Sequence, residues 1–352
     1  MQTMAAKRVT MQDIADACGF SRNTISKAFN ARGGIPEATR RMILAKADEL
    51  GYRQQIRESS AAQAKQKQPT VKSVALFTQQ KPMHYHYGTS FITAFANRLS
   101  RAGYSLMMYE VTQTEIRNRS LPSNFAIDQA VGILGIELFD RGYTQMMCDL
   151  GLPVIFADTY ARPDLTSMKA DLISMENVNS AITLTEHLIE AGAKNIGFVG
   201  DINHCNSFHN RWSGYCKALG RAGLEQSREF CILAEDSAPY TNVAWLLEQL
   251  EKMPATPDAF VCANDFLAIH LLNALKKKGL SVPEDVMLTG FDGTTQANLS
   301  DPPLTTAYIP SVDIGYFAAG MLLERIDKPD LPYRRTYIQT TPIINKSVRT
   351  PK

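Results

Sequence analysis

The sequence predicts an α/β protein with a small all-α head, a linker and a larger two-lobed body built on doubly wound parallel sheets. Three observations predict this fold class: a short basic segment with helical spacing, a polar stretch after it, and then a regular alternation of apolar runs with amphipathic stretches. A chain of 352 residues is longer than one ordinary domain and has room for two or three.

Composition excludes several classes of protein. Hydrophobic residues make up 45% of the chain and charged residues 20%, which is enough apolar surface to build cores. No run approaches the roughly 18 consecutive apolar residues of a membrane span. The first residues lack the apolar core of a secretory signal, so we expect a cytoplasmic protein with no membrane partner. The six cysteines form no C-x-x-C pair, which argues against zinc ribbons and a disulfide framework.

Charge divides the chain unevenly. Residues 1–72 carry 13 Lys and Arg against 6 Asp and Glu, a net charge of +7, whereas residues 73–352 carry a net charge of −5. A basic head on an acidic body indicates a polyanionic partner for the head, although a basic surface that meets only water would show the same balance. Residues 54–72, rich in Gln, Ser and Lys, cannot bury enough surface to fold alone and are predicted to form a hinge or linker.

Residues 8–53 are predicted to form a helix-turn-helix followed by a third helix. Thr10 is expected to cap the first helix and Ser21 the second, with a short break containing Gly19 between them. Pro36 is expected to open the third helix from a first-turn position.

The second helix has the chemistry of a DNA-groove reader. Arg22 and Asn23 can pair bidentately with guanine and adenine, and Lys27 lies about one turn further on. The alternative is a three-helix bundle whose polar face meets only water, and the basic charge of the head favours DNA. The predicted DNA contacts, which include short hydroxyls suited to phosphate oxygens, are Thr10, Ser21, Arg22, Asn23, Thr24, Ser26, Lys27 and Asn30.

Beyond residue 72, short apolar runs alternate with amphipathic stretches, which predicts parallel sheets covered by helices on both faces. About 280 residues of this kind divide best into two lobes, with a ligand beyond the carboxyl ends of the strands. The apolar runs are residues 74–77, 106–109, 131–134, 153–157, 196–199, 230–233, 259–262 and 286–290.

Polar residues stand where these strands are expected to end. Asp158, Asn264 and Asp292 follow apolar runs, and Arg211 opens the segment RWSGY. Such fixed donors and acceptors can satisfy the vicinal hydroxyls of a sugar. The alternative for each is a structural role, such as a helix cap, which Asp265 could supply, or an ion pair between the lobes, which Arg211 could form with an Asp.

Aromatic residues add a second group of candidates. Tyr87 and Phe91 follow the first run and Tyr240 follows the run at 230–233. Flat rings of this kind pack on the apolar face of a sugar or on a base. His84 and His86 lie beside them, but the sequence places no third ligand, so no metal site is expected.

Sequence patterns for catalysis are missing from this chain. It has no nucleophile elbow, no phosphate-binding loop and no dinucleotide motif after a strand, so neither an enzyme nor a cofactor is expected. Two-lobed α/β folds include many enzymes, and the helix-turn-helix decides against one here.

The head closely resembles that of the LacI/GalR family of bacterial repressors, through the segments VTMQDIADACGFSRNTISKAFN and TRRMILAKADELGY. In that family, positions matching Arg22, Asn23 and Lys27 read bases. The resemblance extends over nearly the whole chain, through the segments EHLIEAGAKNIGFVGD, RWSGYCKAL, PDAFVCANDFLAIHLLNALKKKGLSVPEDVMLTGFD and PPLTTAYIP.

The resemblance implies a body, residues 73–352, of the periplasmic-binding-protein type, whose two lobes close on a small ligand. It implies an N-lobe of about 73–174 and 311–334, and a C-lobe of about 177–307 and 335–352, with late crossings near Tyr308–Pro310 and near 335. Positions matching several polar residues contact effectors in the family, and aromatic residues line the cleft. The predicted effector-binding residues are Tyr87, Phe91, Asp158, Arg211, Tyr240, Asn264 and Asp292.

Departures from the family pattern affect the hinge and the lobes. Ala61 stands where the family inserts a Leu into the minor groove, so we expect weaker DNA bending. Gln54-Gln55 replace the usual Pro-Asn, Glu176-Asn177 replace Asp-Asn at a lobe crossing, and Gly293 replaces an acid.

The sequence therefore predicts a repressor that binds double-stranded operator DNA under the control of a small effector, expected to be a sugar. A homodimer is expected, because a palindromic operator needs two heads, and a tetramer is also possible. One alternative is the same architecture controlled by a nucleobase corepressor or a phosphoprotein partner. Another is a solute-binding protein, which the basic head and the missing signal argue against.

Overall fold

The computed structural model describes residues 9–29, 35–52, 72–79 and 86–350. The chain divides into two compact units, residues 1–71 and 72–352. Of the predicted linker, only Lys72 is among the described residues, and Ala61 and Gln54-Gln55 lie outside them.

Three helices make up the described part of the head: α1 (Met11–Cys18), α2 (Arg22–Phe29) and α3 (Glu37–Glu49). A capping box starts α1, because the Thr10 hydroxyl accepts from the Asp13 N–H at 3.3 Å and the Asp13 carboxylate accepts from the Thr10 N–H at 2.6 Å. Gly19 ends α1 with a φ of 68°, in the left-handed region that glycine adopts readily. The predicted helix-turn-helix is confirmed.

Apolar side chains from all three helices form the core of the head. Ile14, Ile25 and Ile43 are fully buried, one from each helix, and Ala28 and Ala47 let the helices approach closely. The third helix begins at Glu37, one residue after Pro36, which stands at the N-cap and makes no side-chain capping bond. The pyrrolidine ring therefore fixes the turn that enters α3 rather than forming part of its first turn.

The first lobe of the body carries a six-stranded sheet in the order β10-β5-β4-β3-β1-β2, with all neighbours parallel. Helices α4 and α12 cover one face, and α5 and α6 cover the other. The elements of this lobe are β1 (Ser73–Thr78), α4 (His86–Arg101), β2 (Ser105–Glu110), α5 (Gln113–Asn118), β3 (Ala130–Ile136), α6 (Arg141–Cys148), β4 (Val154–Ala157), β5 (Asp171–Met175), α12 (Ser311–Asp327) and β10 (Arg335–Ile338).

The second lobe carries a three-stranded parallel sheet in the order β6-β7-β8, and a short antiparallel pair, β9 and β11, lies where the chain passes between lobes. The remaining elements are α7 (Val178–Glu190), β6 (Ile196–Val199), α8 (Asn206–Arg221), α9 (Val243–Glu251), β7 (Ala259–Cys262), α10 (Asp265–Lys278), β8 (Met287–Thr289), α11 (Thr295–Leu299), β9 (Thr306–Tyr308) and β11 (Thr341–Ile343).

The predicted α/β architecture with parallel sheets is confirmed, and some strands differ from the expectation. The run 230–233 forms only a single bridge, between Ile232 and Val199. Strand β5, with the mixed sequence DLISM, was not among the predicted runs, because its buried Asp and Ser interrupt the apolar pattern. Strand β10 pairs with β5, so the last passage between lobes comes after Ile338, later than the expected position near 335. Within the described ranges, no helix has both the length and the apolar character of a membrane span.

A buried ion pair holds the end of α12 against the first sheet. The Arg325 guanidinium donates to both carboxylate oxygens of Asp171, at 3.0 and 3.1 Å, and the two side chains are 3% and 0% exposed. The Arg334 N–H donates to Asp171 at 2.7 Å, and the Arg325 guanidinium also donates to the carbonyls of Pro329, Leu331 and Pro332. These bonds fix the loop that leads into β10.

We expect Asp171→Asn to lower the free energy of unfolding by about 3–5 kcal/mol, because the substitution leaves a buried guanidinium without a counter-charge. Denaturant unfolding of the full chain measures this. The control is Glu186→Gln, which breaks the exposed pair with Arg221 at 3.1 Å and should cost under about 1 kcal/mol. Equal losses in the two variants would contradict a special role for the buried pair.

Candidate functional site

The head presents one strongly polar helix face. On α2, Arg22, Asn23 and Lys27 are exposed, whereas Ile25 and Ala28 on the opposite side are buried in the head's core. The three exposed side chains are long or amide-bearing donors on one helix surface, as base-edge and phosphate recognition requires.

The short hydroxyls of the head have local hydrogen bonds. The Ser21 Oγ accepts from the Thr24 N–H at 3.2 Å and lies 2.9 Å from the Thr24 Oγ1, so Ser21 caps α2. The Thr10 hydroxyl belongs to the capping box of α1, and Ser26 is half-buried. Asn30 lies outside the described residues. The hydroxyls of Ser21 and Thr10 therefore position the helices whether or not they also meet phosphate.

The body encloses a cavity of about 320 Å³ between the carboxyl ends of the two parallel sheets. Five of the seven predicted effector residues line it. The lining comprises Ile136, Glu137, Phe139, Ala157, Asp158 and Met175 from the first lobe, Ile309 from a crossing segment, and His204, Cys205, Ser207, Phe208, Arg211, Asp236, Ala238, Tyr240, Thr241, Asn264, Phe266, Leu267 and Asp292 from the second lobe. A larger depression of about 720 Å³ on α6, around Arg119 and Arg141, is open to solvent and contains none of the predicted residues.

Arg211 on α8 is the central cation of the cavity and is 3% exposed. Its Nε donates to the Asn177 side-chain oxygen at 2.9 Å, and its Nη1 donates to the Ala263 carbonyl at 2.6 Å and to the Asp292 Oδ1 at 3.4 Å. The guanidinium also lies 3.8 Å from the ring centroid of Phe291. Its Nη2 makes no hydrogen bond with the described residues.

Asp292 lies on a sharp turn at the end of β8. Its φ is 123° and that of Gly293 is 68°, so both residues adopt backbone conformations that side chains disfavour. A Cβ at Gly293 would lie 2.6 Å from the Tyr308 Cα, which explains why no acid stands there. Burial raises the pKa of Asp292 to about 7, although Arg211 opposes the shift.

Two first-lobe carboxylates face the cavity opposite Arg211. Asp158 ends β4 with a φ of 63°, and its Oδ2 accepts from the Ser207 N–H across the lobes at 3.3 Å. Glu137 ends β3 with a φ of 54° and was missed by the sequence reasoning, although the rule that found Asp158, an acid directly after an apolar run, also applies to it. Burial raises the pKa of both carboxyls, that of Glu137 to about 7.

Tyr240 and Asn264 line the cavity while serving the fold. The Tyr240 hydroxyl donates to the Ala234 carbonyl at 2.8 Å, which leaves its ring for the cavity. The Asn264 side-chain oxygen accepts from the Leu267 N–H at 2.9 Å and caps α10. The neighbouring Asp265 is fully buried and accepts from the Thr306 hydroxyl at 2.5 Å, so it holds the crossing segment rather than capping a helix.

Two predicted effector residues are not among the side chains at the cavity. Phe91 is fully buried in the first lobe's core, where its ring stacks on that of Phe95 at 6.1 Å, because its position on α4 faces the sheet. The prediction that Phe91 faces the cleft is therefore corrected. The side chain of Tyr87, like His84 and His86, lies outside the described residues. In the part of the chain that the structure describes, no cluster of His, Cys, Asp and Glu is suited to a metal ion.

Aromatic residues and a histidine at the cavity's rim were also missed. The rings of Phe139, from the first lobe, and His204, from the second, meet edge-to-face at 4.8 Å. The His204 Nδ1 lies 3.5 Å from the Asp236 carboxylate, and Phe208 lies 5.4 Å from the His204 ring. Phe139 and His204 stand in loops a few residues beyond β3 and β6, and Phe208 lies on α8, so a search for polar residues at strand ends did not find them.

Comparison with known proteins supports the same architecture. The model of the bacterial regulatory proteins of the lacI family matches residues 10–55, and that of the periplasmic binding protein-like domain matches residues 185–348. The HTH-type transcriptional repressor PurR of Pasteurella multocida is 28% identical over 350 residues, which cover 97% of this chain and 99% of that protein. The HTH-type transcriptional regulator CelR of Thermobifida fusca is 25% identical over 343 residues, covering 97% and 98%.

Solved structures share the fold along the chain. A transcriptional regulator CelR–cellobiose complex has a TM-score of 0.69 at 23% identity and covers 97% of this chain and 100% of its own. The lac repressor dimer bound to operator and the anti-inducer ONPF has a TM-score of 0.66 at 22% identity, with coverage of 97% and 99%. The chain therefore combines a DNA-binding head of the lacI family with a periplasmic-binding-protein-like body, which is the architecture of the LacI-family transcriptional regulators it resembles along its length.

Proposed function

We propose that this regulator is a repressor whose affinity for operator DNA is controlled by a small effector, expected to be a sugar, bound in the cavity between the lobes. The observation that carries the proposal is the cavity itself, in which Arg211, Asp158 and Asp292 converge from different strands and helices of both lobes. Fixed polar groups of this kind match a ligand with several hydroxyls. We also propose that the protein binds DNA and effector in the cytoplasm and that it catalyses no reaction.

The DNA-contact role is proposed for the exposed face of α2. Arg22 and Asn23 are proposed to read base edges, with Lys27 one turn further on. Ser21, Thr24, Ser26 and Thr10 are proposed to meet phosphates through hydroxyls that their helix-capping bonds already orient. Asn30 stays a prediction from the sequence.

The effector is proposed to bind both lobes and so to favour one angle between them. Such a ligand shifts the equilibrium only by its different affinity for the two angles. That the related CelR was solved with cellobiose supports a sugar. The rings of Phe139, Phe208 and Phe266 at the cavity favour a nucleobase corepressor as the second candidate. A sugar inducer would lower operator affinity and a corepressor would raise it.

We propose a homodimer formed through the body. The resemblance to the LacI/GalR family implies a dimer contact through helices near 94–101 and 268–278, but the exposed residues of these helices are all polar or charged. The structure offers apolar surface instead on the edge strand β2 and on α12. The exposed side chains there are Met107, Met108, Val312, Tyr316 and Phe317, each between 46% and 55% exposed.

Arg22→Ala should relax base preference at one operator position and cost about 1–3 kcal/mol there, because it removes a bidentate contact to one base pair. Lys46→Ala on α3 provides the contrast: if Lys46 meets phosphate, it should weaken all sequences alike and reduce the salt slope. Fluorescence anisotropy on operator, single-base variants and random duplex measures both. Equal losses for Arg22→Ala on operator and random DNA would show that Arg22 does not read a base.

Ala238→Trp should abolish the response to effector while operator binding without effector persists, because the indole fills the cavity and leaves the bonds of Arg211 in place. A thermal-shift screen of sugars and nucleobases first finds the ligand, since a binder at 100 times its Kd adds about 2.7 kcal/mol. Ala222→Trp, exposed beyond the end of α8, is the matched control. An unchanged effector response in Ala238→Trp would remove the cavity from the mechanism.

The full chain should sediment at twice its 39.0 kDa mass at micromolar concentration, and deletion of residues 1–71 should leave the body dimeric. Phe317→Asp should shift this equilibrium toward monomer, because it places a charge on the exposed apolar face of α12. Lys277→Glu on α10 should not shift it. A monomeric wild type, or a stronger effect of Lys277→Glu, would contradict this choice of surface.

A further inference from the structure

Two acidic residues end neighbouring strands at the floor of the cavity. Ile136 of β3 pairs with Ala157 of β4, so Glu137 and Asp158 follow directly on strands that lie about 4.8 Å apart. Both residues have a positive φ, 54° and 63°, which is a costly conformation for a residue other than glycine. In both residues this conformation makes the chain turn away from the strand direction, at the carboxyl edge of the first sheet that lines the cavity.

Each of these residues has a carboxylate oxygen without a partner. The Glu137 Oε2 and the Asp158 Oδ1 are buried and make no hydrogen bond with the described residues. Burial raises the pKa of both groups, and for Glu137 no charge opposes that effect. A buried carboxylate oxygen without a donor is costly, and Glu137 also lacks a counter-charge, whereas Asp158 keeps the Ser207 N–H on its other oxygen.

The other ionisable side chains that line the cavity lie beside partners. Asp292 lies beside Arg211, and Asp236 lies beside His204 at the rim. Arg211 reaches Asp158 only as a more distant charge, and no Lys or Arg among the described lining residues contacts Glu137. When these carboxyls ionise, no cation of the described lining residues compensates Glu137, and only the more distant Arg211 acts on Asp158.

On the basis of the proposed effector function, we propose that the cavity takes a sugar bearing a protonated amine, with the ammonium group held by Glu137 and Asp158. An ammonium group has three N–H donors and one positive charge, so it can donate to both free oxygens and offset one of the two negative charges. The hydroxyls of the same ligand then meet Arg211, Asn264 and the rest of the second lobe.

Other ligand chemistries fit this pair of residues less well. A neutral hydroxyl supplies one donor and leaves both carboxylates to be neutralised by protonation. A phosphorylated or carboxylated sugar would place a further negative charge against Glu137 and Asp158. A metal ion would need more ligands than the two, and the described residues hold no such cluster.

The test compares matched ligands by calorimetry at pH 7 with the full-length protein. Two series, gluco and galacto, each contain the amino sugar, its N-acetyl form and the parent sugar. A third series contains the β-1,4-linked glucosamine disaccharide, its N-acetyl form and cellobiose. In at least one series, the amine should bind at least tenfold more tightly than both other members. Glu137→Gln should reduce this preference to within threefold, whereas Glu190→Gln, which removes an exposed carboxylate at the end of α7, should leave it unchanged.

Melting curves of the ligand-free proteins check that Glu137 has no structural partner. The folded pKa of Glu137, raised to about 7 from 4.5, means that its charged form destabilises the fold as pH rises through this interval. Glu137→Gln should therefore melt at a higher temperature than the wild type at pH 8, with the difference vanishing toward pH 4.5. Asp158, Asp236, Asp292, His204 and Arg211 are common to both proteins, so the difference isolates Glu137.

Three results would overturn the proposal. The first is that neutral sugars bind and that, in every series, the amine binds no more tightly than the parent sugar. This result would reject the amine but keep the proposed sugar effector. The second is a preference for the amine that Glu137→Gln retains, or a Glu137→Gln protein that melts below the wild type at pH 8. The third is no binding by any member of any series, which rejects the proposed sugar effector as well.

Discussion

The arrangement of the cavity depends on one buried guanidinium. A cation as deeply buried as that of Arg211 is tolerated only when carbonyls, amides and a carboxylate surround it. Its partners come from three places in the chain: Asn177 at the first crossing, Ala263 at the end of β7 and Asp292 after β8. Satisfying this one group brings those segments together, and the polar cavity lies where they meet. The cavity is therefore a structural requirement of the second lobe as well as a candidate binding site.

Much of the fold was predictable because it follows from local periodicity. Helical spacing and capping residues within 8–53 predicted the three helices of the head, and polar residues at strand ends predicted the position of the cavity. The individual side chains were less predictable. Phe91 turned out to belong to the core because helix rotation, which the sequence does not determine, faces it to the sheet. The helix cap proved to be Asn264 rather than Asp265, since two adjacent short polar residues are equally suited to the position by sequence alone.

The acids around the cavity share an unusual backbone. Of the five non-glycine residues with positive φ in the described ranges, three are the cavity acids Glu137, Asp158 and Asp292. Strained conformations of this kind persist where the surrounding structure fixes them, and they concentrate at functional sites. Sequence patterns carry no signal for such a conformation at an acid. Two of the three residues were therefore predictable from their position after a strand, whereas the backbone geometry that they share was not.

The chain passes between the lobes at three places: before α7, through β9 into α12, and between β10 and β11. A single connection would let one lobe rotate in any direction relative to the other. Three connections side by side resist twisting and sliding, so bending about one axis is the motion of lowest energy cost. The three connections therefore act together as one hinge between the lobes. The ion pair of Arg325 with Asp171 anchors the strand that precedes the last connection, and Ser347 ties the chain to β8 beyond it. Cutting the chain anywhere between these two anchors would therefore add a second direction in which the lobes can move.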